Sequence, residues 1–142
     1  MTAKELAAIL NGREYTAEIT KTEEREAKAA GLVVVFGASD DLMEFHGAIK
    51  DEVYGYDGTT VRIDEKGLVP DFEQIESSDK DALRDYFQRE GGGKTIEAQW
   101  DNGRYPSWVY KTDIPHECFD VLEDGELYCR GIVFALADVG AQ

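Results

Sequence analysis

The chain has 142 residues, 42% hydrophobic and 11% aromatic, which is enough apolar material for the core of a single domain spanning residues 1–142 and excludes a wholly disordered polypeptide. Thirty Asp/Glu face fifteen Lys/Arg, for a net charge of −15; residues 1–71 hold 8 basic and 15 acidic side chains and residues 72–142 hold 7 and 15, so the acidity belongs to the whole chain rather than to a tail. Such a charge argues against direct contact with nucleic acid or an anionic membrane and favours basic partners.

The predicted elements run as follows. Thr2-Ala3-Lys4-Glu5 has the spacing of a capping box, Leu6, Ile9 and Leu10 follow at helical period, and Asn11-Gly12 ends the helix. A second capping box, Thr20-Lys21-Thr22-Glu23, opens a charged helix through Ala30, with Gly31 as its terminating residue. Leu32 to Phe36 is a continuous β-branched and apolar run, the signature of a buried central strand. After a turn at 38–41, Leu42 to Ile49 alternates, with Met43, Phe45 and Gly47 on one face and Glu44 and His46 on the other. Residues 50–58 read as an acidic, Gly/Tyr-rich connection, and Thr59 to Ile63 as a half-buried strand. Ser78 caps an expected helix over 79–89, which Gly91-Gly92-Gly93 terminates. Thr95 to Trp100 and the run from Trp108 to Ile114 flank the turn dipeptide Asn102-Gly103, and a hairpin pairs 118–122 with 127–136 about Glu123-Asp124-Gly125-Glu126. These elements predict an α+β fold: two N-terminal helices plus a mainly antiparallel sheet of about six strands with one inserted helix.

Motifs for chemistry are sparse. His46, His116, Cys118 and Cys129 are the soft or imidazole ligands, but they lack the paired spacing of a zinc site, and no metal or cofactor is expected. His116 and Cys118 project in parallel from one strand face rather than converging as a thiol dyad must. Gly91-Gly92-Gly93-Lys94 follows a helix and precedes a strand, the reverse of a phosphate loop. Paired carboxylates could serve a hydrolase, yet among thirty acids some pairing is inevitable.

Two patterns suit recognition rather than catalysis. Trp100, Arg104, Tyr105, Trp108 and Tyr110 straddle one hairpin and could anchor a protein partner, stack a nucleotide or simply fill a core. Acidic side chains at i and i+2 on a strand lie about 6.6 Å apart, close to the phosphate spacing of a nucleic-acid strand. The stretches 40–57, with Asp40, Asp41, Glu44, Asp51 and Glu52, and 117–126, with Glu123, Asp124 and Glu126, fit such an acidic face, as they fit a solvated surface.

The runs Gly31–Asp41, Glu44–Ile49 and Arg130–Leu136, with Ala7 to Tyr15, resemble a set of small acidic proteins carried by bacteriophages and integrated mobile elements. The resemblance spans most of the chain and lapses over 64–93. It implies a non-catalytic inhibitor of a host defence or nucleic-acid-handling protein, anti-CRISPR-like in kind and a possible nucleic-acid mimic. A binder that sequesters a nucleotide signal, and a carboxylate- or Cys118-dependent hydrolase, are the alternatives. The first residues contain Lys4 and Glu5 and no apolar stretch before a small-residue cleavage site, and no apolar run nears the ~20 residues of a membrane helix, so a cytoplasmic location is expected.

Overall fold

The computed structural model describes residues 1–17, 19–39, 42–54, 58–68, 94–101 and 107–140. Among them the order is α1 (Ala3–Leu10), β1 (Arg13–Glu14), α2 (Lys21–Ala29), β2 (Leu32–Ser39), β3 (Leu42–Gly47), β4 (Asp51–Tyr54), β5 (Thr60–Asp64), β6 (Gly67–Leu68), β7 (Lys94–Asp101), β8 (Ser107–Thr112), β9 (Glu117–Glu123) and β10 (Glu126–Ala135), closed by a 3-10 turn at Leu136–Asp138. Both capping boxes form: Thr2 accepts from Glu5 N–H and Thr20 from Glu23 N–H, and each glutamate returns to the cap's backbone N–H. Gly31 ends the α2 segment at φ 69°, a left-handed conformation that glycine adopts without a Cβ penalty.

The α+β class and the predominantly antiparallel sheet are as expected, but the strand number is not. Ten strands are present among the described residues, rather than about six, and the sheet is mixed: β1 runs parallel to β9, and β8 parallel to β10. The acidic connection 50–58 contains β4, which pairs antiparallel with β3 from Leu42↔Tyr54 to Phe45↔Asp51. Pairing to β3 overrides the weak strand propensity of Asp51 and Glu52. Among the described residues no helix interrupts the sheet; the helix expected over 79–89 lies outside them.

Strand β10 is the branch point. One edge pairs with β9 from Glu126 to Val133, with a register shift between Leu127 and Cys129. On its other edge the second half, Ile132–Ala135, pairs with β2, whereas Cys129 in the first half pairs with Trp108 of β8. Two wings therefore leave β10, one of β2-β3-β4 and one of β8-β7-β5-β6. An inner core joins them through Val33, Val35, Met43, Phe45, Val61, Ile63, Ile96, Tyr110, Ile132 and Phe134.

The helices cover the opposite face of the first wing. Leu6, Ala7 and Leu10 of α1 and Ala27 of α2 pack on Val34, Phe36, Phe119, Val121, Cys129 and Val133, forming an outer core. Leu32–Phe36 of β2 and Ile132–Phe134 of β10 are thus buried on both faces, which is why these stretches read as unbroken apolar runs rather than as alternation. The alternation of β3 holds, with Met43, Phe45 and Gly47 buried and Leu42, Glu44 and His46 half-buried. In β5, by contrast, Val61, Arg62 and Ile63 are all buried. No described helix is long and apolar enough to cross a membrane.

Candidate functional site

The sequence-predicted residues fall into three places. Asp40, Asp41, Arg104 and Tyr105 lie outside the described residues. Of the aromatic group, Trp100 and Trp108 are directly cross-strand and meet edge to face, with ring centroids 5.1 Å apart; Trp100 is 40% exposed and Trp108 half-buried. Tyr110 belongs to the inner core, where burial is the first cause pushing its hydroxyl well above its ordinary pKa. Any aromatic anchoring on this hairpin is accordingly carried, among described side chains, by the two tryptophans.

The acidic residues divide between two surfaces. The first is the tip of the β9–β10 hairpin, where Glu123, Asp124 and Glu126 are all exposed, with Glu117 and Asp120 exposed further along β9. The tip turns through Asp124 (φ 51°) and Gly125 (φ 82°), two consecutive left-handed residues that suit the twist of a two-residue hairpin. Glu14 of β1 is drawn to the same tip because its carboxylate accepts from Asp124 N–H (2.9 Å) and Gly125 N–H (3.1 Å). Successive turn amides form an anion-binding concavity, and here the anion is the protein's own side chain. Four carboxylates thereby share one tip. Arg130, the cationic neighbour on β10, approaches Asp120 at 3.7 Å.

The second surface is an open groove of about 920 Å³ between α2, the segment leading into it, and the outer face of β3 and β4. Glu44 and Glu52 are directly cross-strand and both line it; Asp51 is exposed on the neighbouring position of β4. Its fixed point is Glu24. One carboxylate oxygen accepts Gly47 N–H at 2.8 Å, and the other contacts His46 Nδ1 at 3.1 Å. A carboxylate oxygen accepts, so it is Nδ1–H of the ring that donates to Glu24. Nε2 is buried and has no hydrogen-bond partner among the described residues. The His46 ring is held flat against Phe36, with centroids 5.4 Å apart and 20° between the planes.

Gly47 makes this arrangement possible. Its φ is +95°, and a Cβ there would lie 2.3 Å from the Leu32 carbonyl oxygen and 3.1 Å from Ala27 Cβ. The helix is held close on its other side as well. Arg13 clamps Glu23 in a two-pronged ion pair, Nη1 to Oε1 at 2.8 Å and Nη2 to Oε2, which ties β1 to the first turn of α2. The Arg13 hydrogen bonds are the largest cause lowering the Glu23 carboxyl from 4.5 to about 2.

Sequence reasoning placed Glu44 and Glu52 but missed the rest of this groove. Lys21, Glu24 and Arg25 stand at i, i+3 and i+4 on α2 and therefore share a helix face, a signal present in the sequence but without a direction until the helix is docked. His46 drew attention only as a metal ligand. Among the described residues no three His, Cys, Asp or Glu side chains come together to hold a metal. Cys118 is exposed, whereas Cys129 is fully buried with its sulfur 3.5 Å from the Gly37 carbonyl oxygen, and burial pushes its thiol up to about 11. His116 Nδ1 lies 2.7 Å from the Ile114 carbonyl oxygen.

No protein-family model, curated protein or solved structure matches this chain.

Proposed function

We propose that this protein is a non-catalytic interaction protein whose acidic β9–β10 hairpin docks on a basic surface of a nucleic-acid-handling partner, in the manner of phage and mobile-element inhibitors of host defence. The observation that carries the reading is the hairpin tip, where the fold brings Glu14 beside Glu123, Asp124 and Glu126. Concentrating like charge costs free energy through repulsion, and turn amides offset that cost for Glu14 alone. The exposed carboxylates produce a focused negative potential, which speeds encounter with a cationic groove and disfavours neutral or acidic partners. The edge-to-face tryptophan pair supplies the kind of large, rigid aromatic area that anchors interfaces.

The experiment is capture from a bacterial lysate with the intact protein and with the Glu123→Gln/Asp124→Asn/Glu126→Gln variant, at low and at moderate salt, read by mass spectrometry. A basic nucleic-acid-handling protein should be held at low salt, released as salt rises, and lost by the variant. Retention that is indifferent to both salt and the substitutions sinks the reading.

A further inference from the structure

The two helices are attached to the sheet in different ways. Helix α1 buries Leu6, Ala7 and Leu10 in the outer core. Helix α2 buries Ala27 alone; Glu23 and Glu24 are half-buried, and its remaining side chains are exposed. A leucine side chain removes far more apolar area from water than an alanine does, so the hydrophobic attachment of α1 greatly exceeds that of α2.

What holds α2 instead is polar, and it is gathered on the first turn. Arg13 of β1 gives two hydrogen bonds to Glu23. Glu24 accepts from Gly47 N–H at 2.8 Å and from His46 Nδ1–H at 3.1 Å. Past Ala27, the side chains of Lys28, Ala29 and Ala30 are exposed. The chain then leaves through Gly31, at φ 69° with open space where a Cβ would stand. The Gly31 carbonyl accepts Leu136 N–H at 2.8 Å, which pins this end to the sheet. Gly31 is therefore a fixed point with a conformationally permissive backbone, the properties of a hinge.

Polar attachments separate from water-exposed alternatives by little, because water takes over each hydrogen bond that breaks. Releasing α2 also leaves the rest of the molecule nearly intact. The inner core contains no residue of α2. The outer core loses Ala27 and keeps its packing of α1 on β2, β9 and β10. A helix of nine residues is too short to persist in water by itself, so undocking and unwinding of α2 are one step. Few buried apolar contacts, a polar attachment and a separable core are the marks of a unit that opens below the free energy of global unfolding.

We infer that α2 is a strap that opens as a unit about Gly31 while the sheet and α1 stay folded, with the Arg13–Glu23 and Glu24–Gly47/His46 contacts as its latch. Opening uncovers the part of the outer core that Ala27 closes, where Leu32 and Gly47 lie against it. It also frees the His46 ring from Glu24 and turns the groove between α2 and β3 into an open face. The inference does not rest on the hairpin reading, so either can fail without the other.

The test is native-state hydrogen exchange of the intact protein, read amide by amide by NMR in increasing, sub-denaturing urea. Amides of residues 24–30 should be protected at least about a hundredfold less than those of β2 and β10. Their exchange should depend little on urea, because opening the strap exposes little surface. An Arg13→Ala/Glu24→Ala variant removes both halves of the latch. Its α2 amides should exchange within about tenfold of the rate of an unstructured chain, while β2 and β10 stay protected and unfold in a single urea transition. Protection of α2 equal to that of β2 and β10, with the same urea dependence, overturns the inference. So does a variant whose strands lose protection together with α2, or one whose α2 stays as protected as in the unaltered protein.

Discussion

The carboxylates in the first turn of α2 and those of the hairpin tip share a chemistry and differ in what holds them. Glu23 and Glu24 are half-buried and each is locked by several donors: Arg13 and Thr20 for the first, Gly47 N–H and His46 for the second. Glu123, Asp124 and Glu126 are exposed, and at that tip the turn amides bond Glu14 instead. In the first region acidic charge holds α2 against the sheet. In the second, the charge of Glu123, Asp124 and Glu126 is displayed to solvent. Net charge alone therefore says little about role; the partner of each carboxylate decides it.

The comparison breaks most readily at Gly47. Gly47→Ala forces a Cβ into the Leu32 carbonyl and asks an L side chain to hold a φ of +95°. A loss on the order of 3 kcal/mol is expected by urea unfolding, and a loss near zero would show that α2 does not depend on this close approach. Next in size is Glu24→Ala, which leaves Gly47 N–H and His46 Nδ1 without their acceptor. About 2 kcal/mol should be lost, with histidine ring resonances reporting a freed His46.

A smaller effect sharpens the comparison through pH. Glu23 is lowered to about 2 in the folded state against an ordinary 4.5. A depressed folded pKa means its stabilisation is complete above about 4.5 and disappears as pH falls toward about 2. Glu23→Gln should cost on the order of 1–2 kcal/mol at neutral pH, allowing for partial exposure of the pair. The stability gap between wild type and variant should close as the medium is acidified; a gap that persists at pH 2 contradicts the clamp. The smallest change is expected at the hairpin. Neutralising Glu123, Asp124 and Glu126 together should move stability by no more than about 0.5 kcal/mol, possessing instead the effect on partner capture described above. A large destabilisation there would mean the tip acids are structural after all.

Much of the local architecture was legible because its causes are local. Thr2/Glu5 and Thr20/Glu23 satisfy helix-end donors within three residues, and Asp124-Gly125 supplies two left-handed positions in sequence. The doubly buried β2 was visible in Leu32 to Phe36. Strand β4 was not, because Asp51 and Glu52 have poor strand propensity and extend only by pairing with β3. Gly131 makes the same point: in the sequence it interrupts an apolar run, but in the fold it is the space that Phe119 occupies, since a Cβ there would lie 2.2 Å from that ring. Neither feature has a signature within its own window.

The sequence by itself determined the α+β class, the two capped helices, the buried strands and an acidic surface. Each follows from side-chain periodicity, capping chemistry or charge count, which act over a few residues or over the chain as a whole. Only the tertiary structure decided the branching of the sheet at β10, the parallel pairing of β1 with β9, the placing of Glu14 at a turn more than a hundred residues away, and the groove that assembles Lys21, Glu24 and Arg25 opposite Glu44, His46 and Glu52. Those depend on which strand edges meet and in what register, and register is settled by the cooperative burial of two cores rather than by any short stretch of chain.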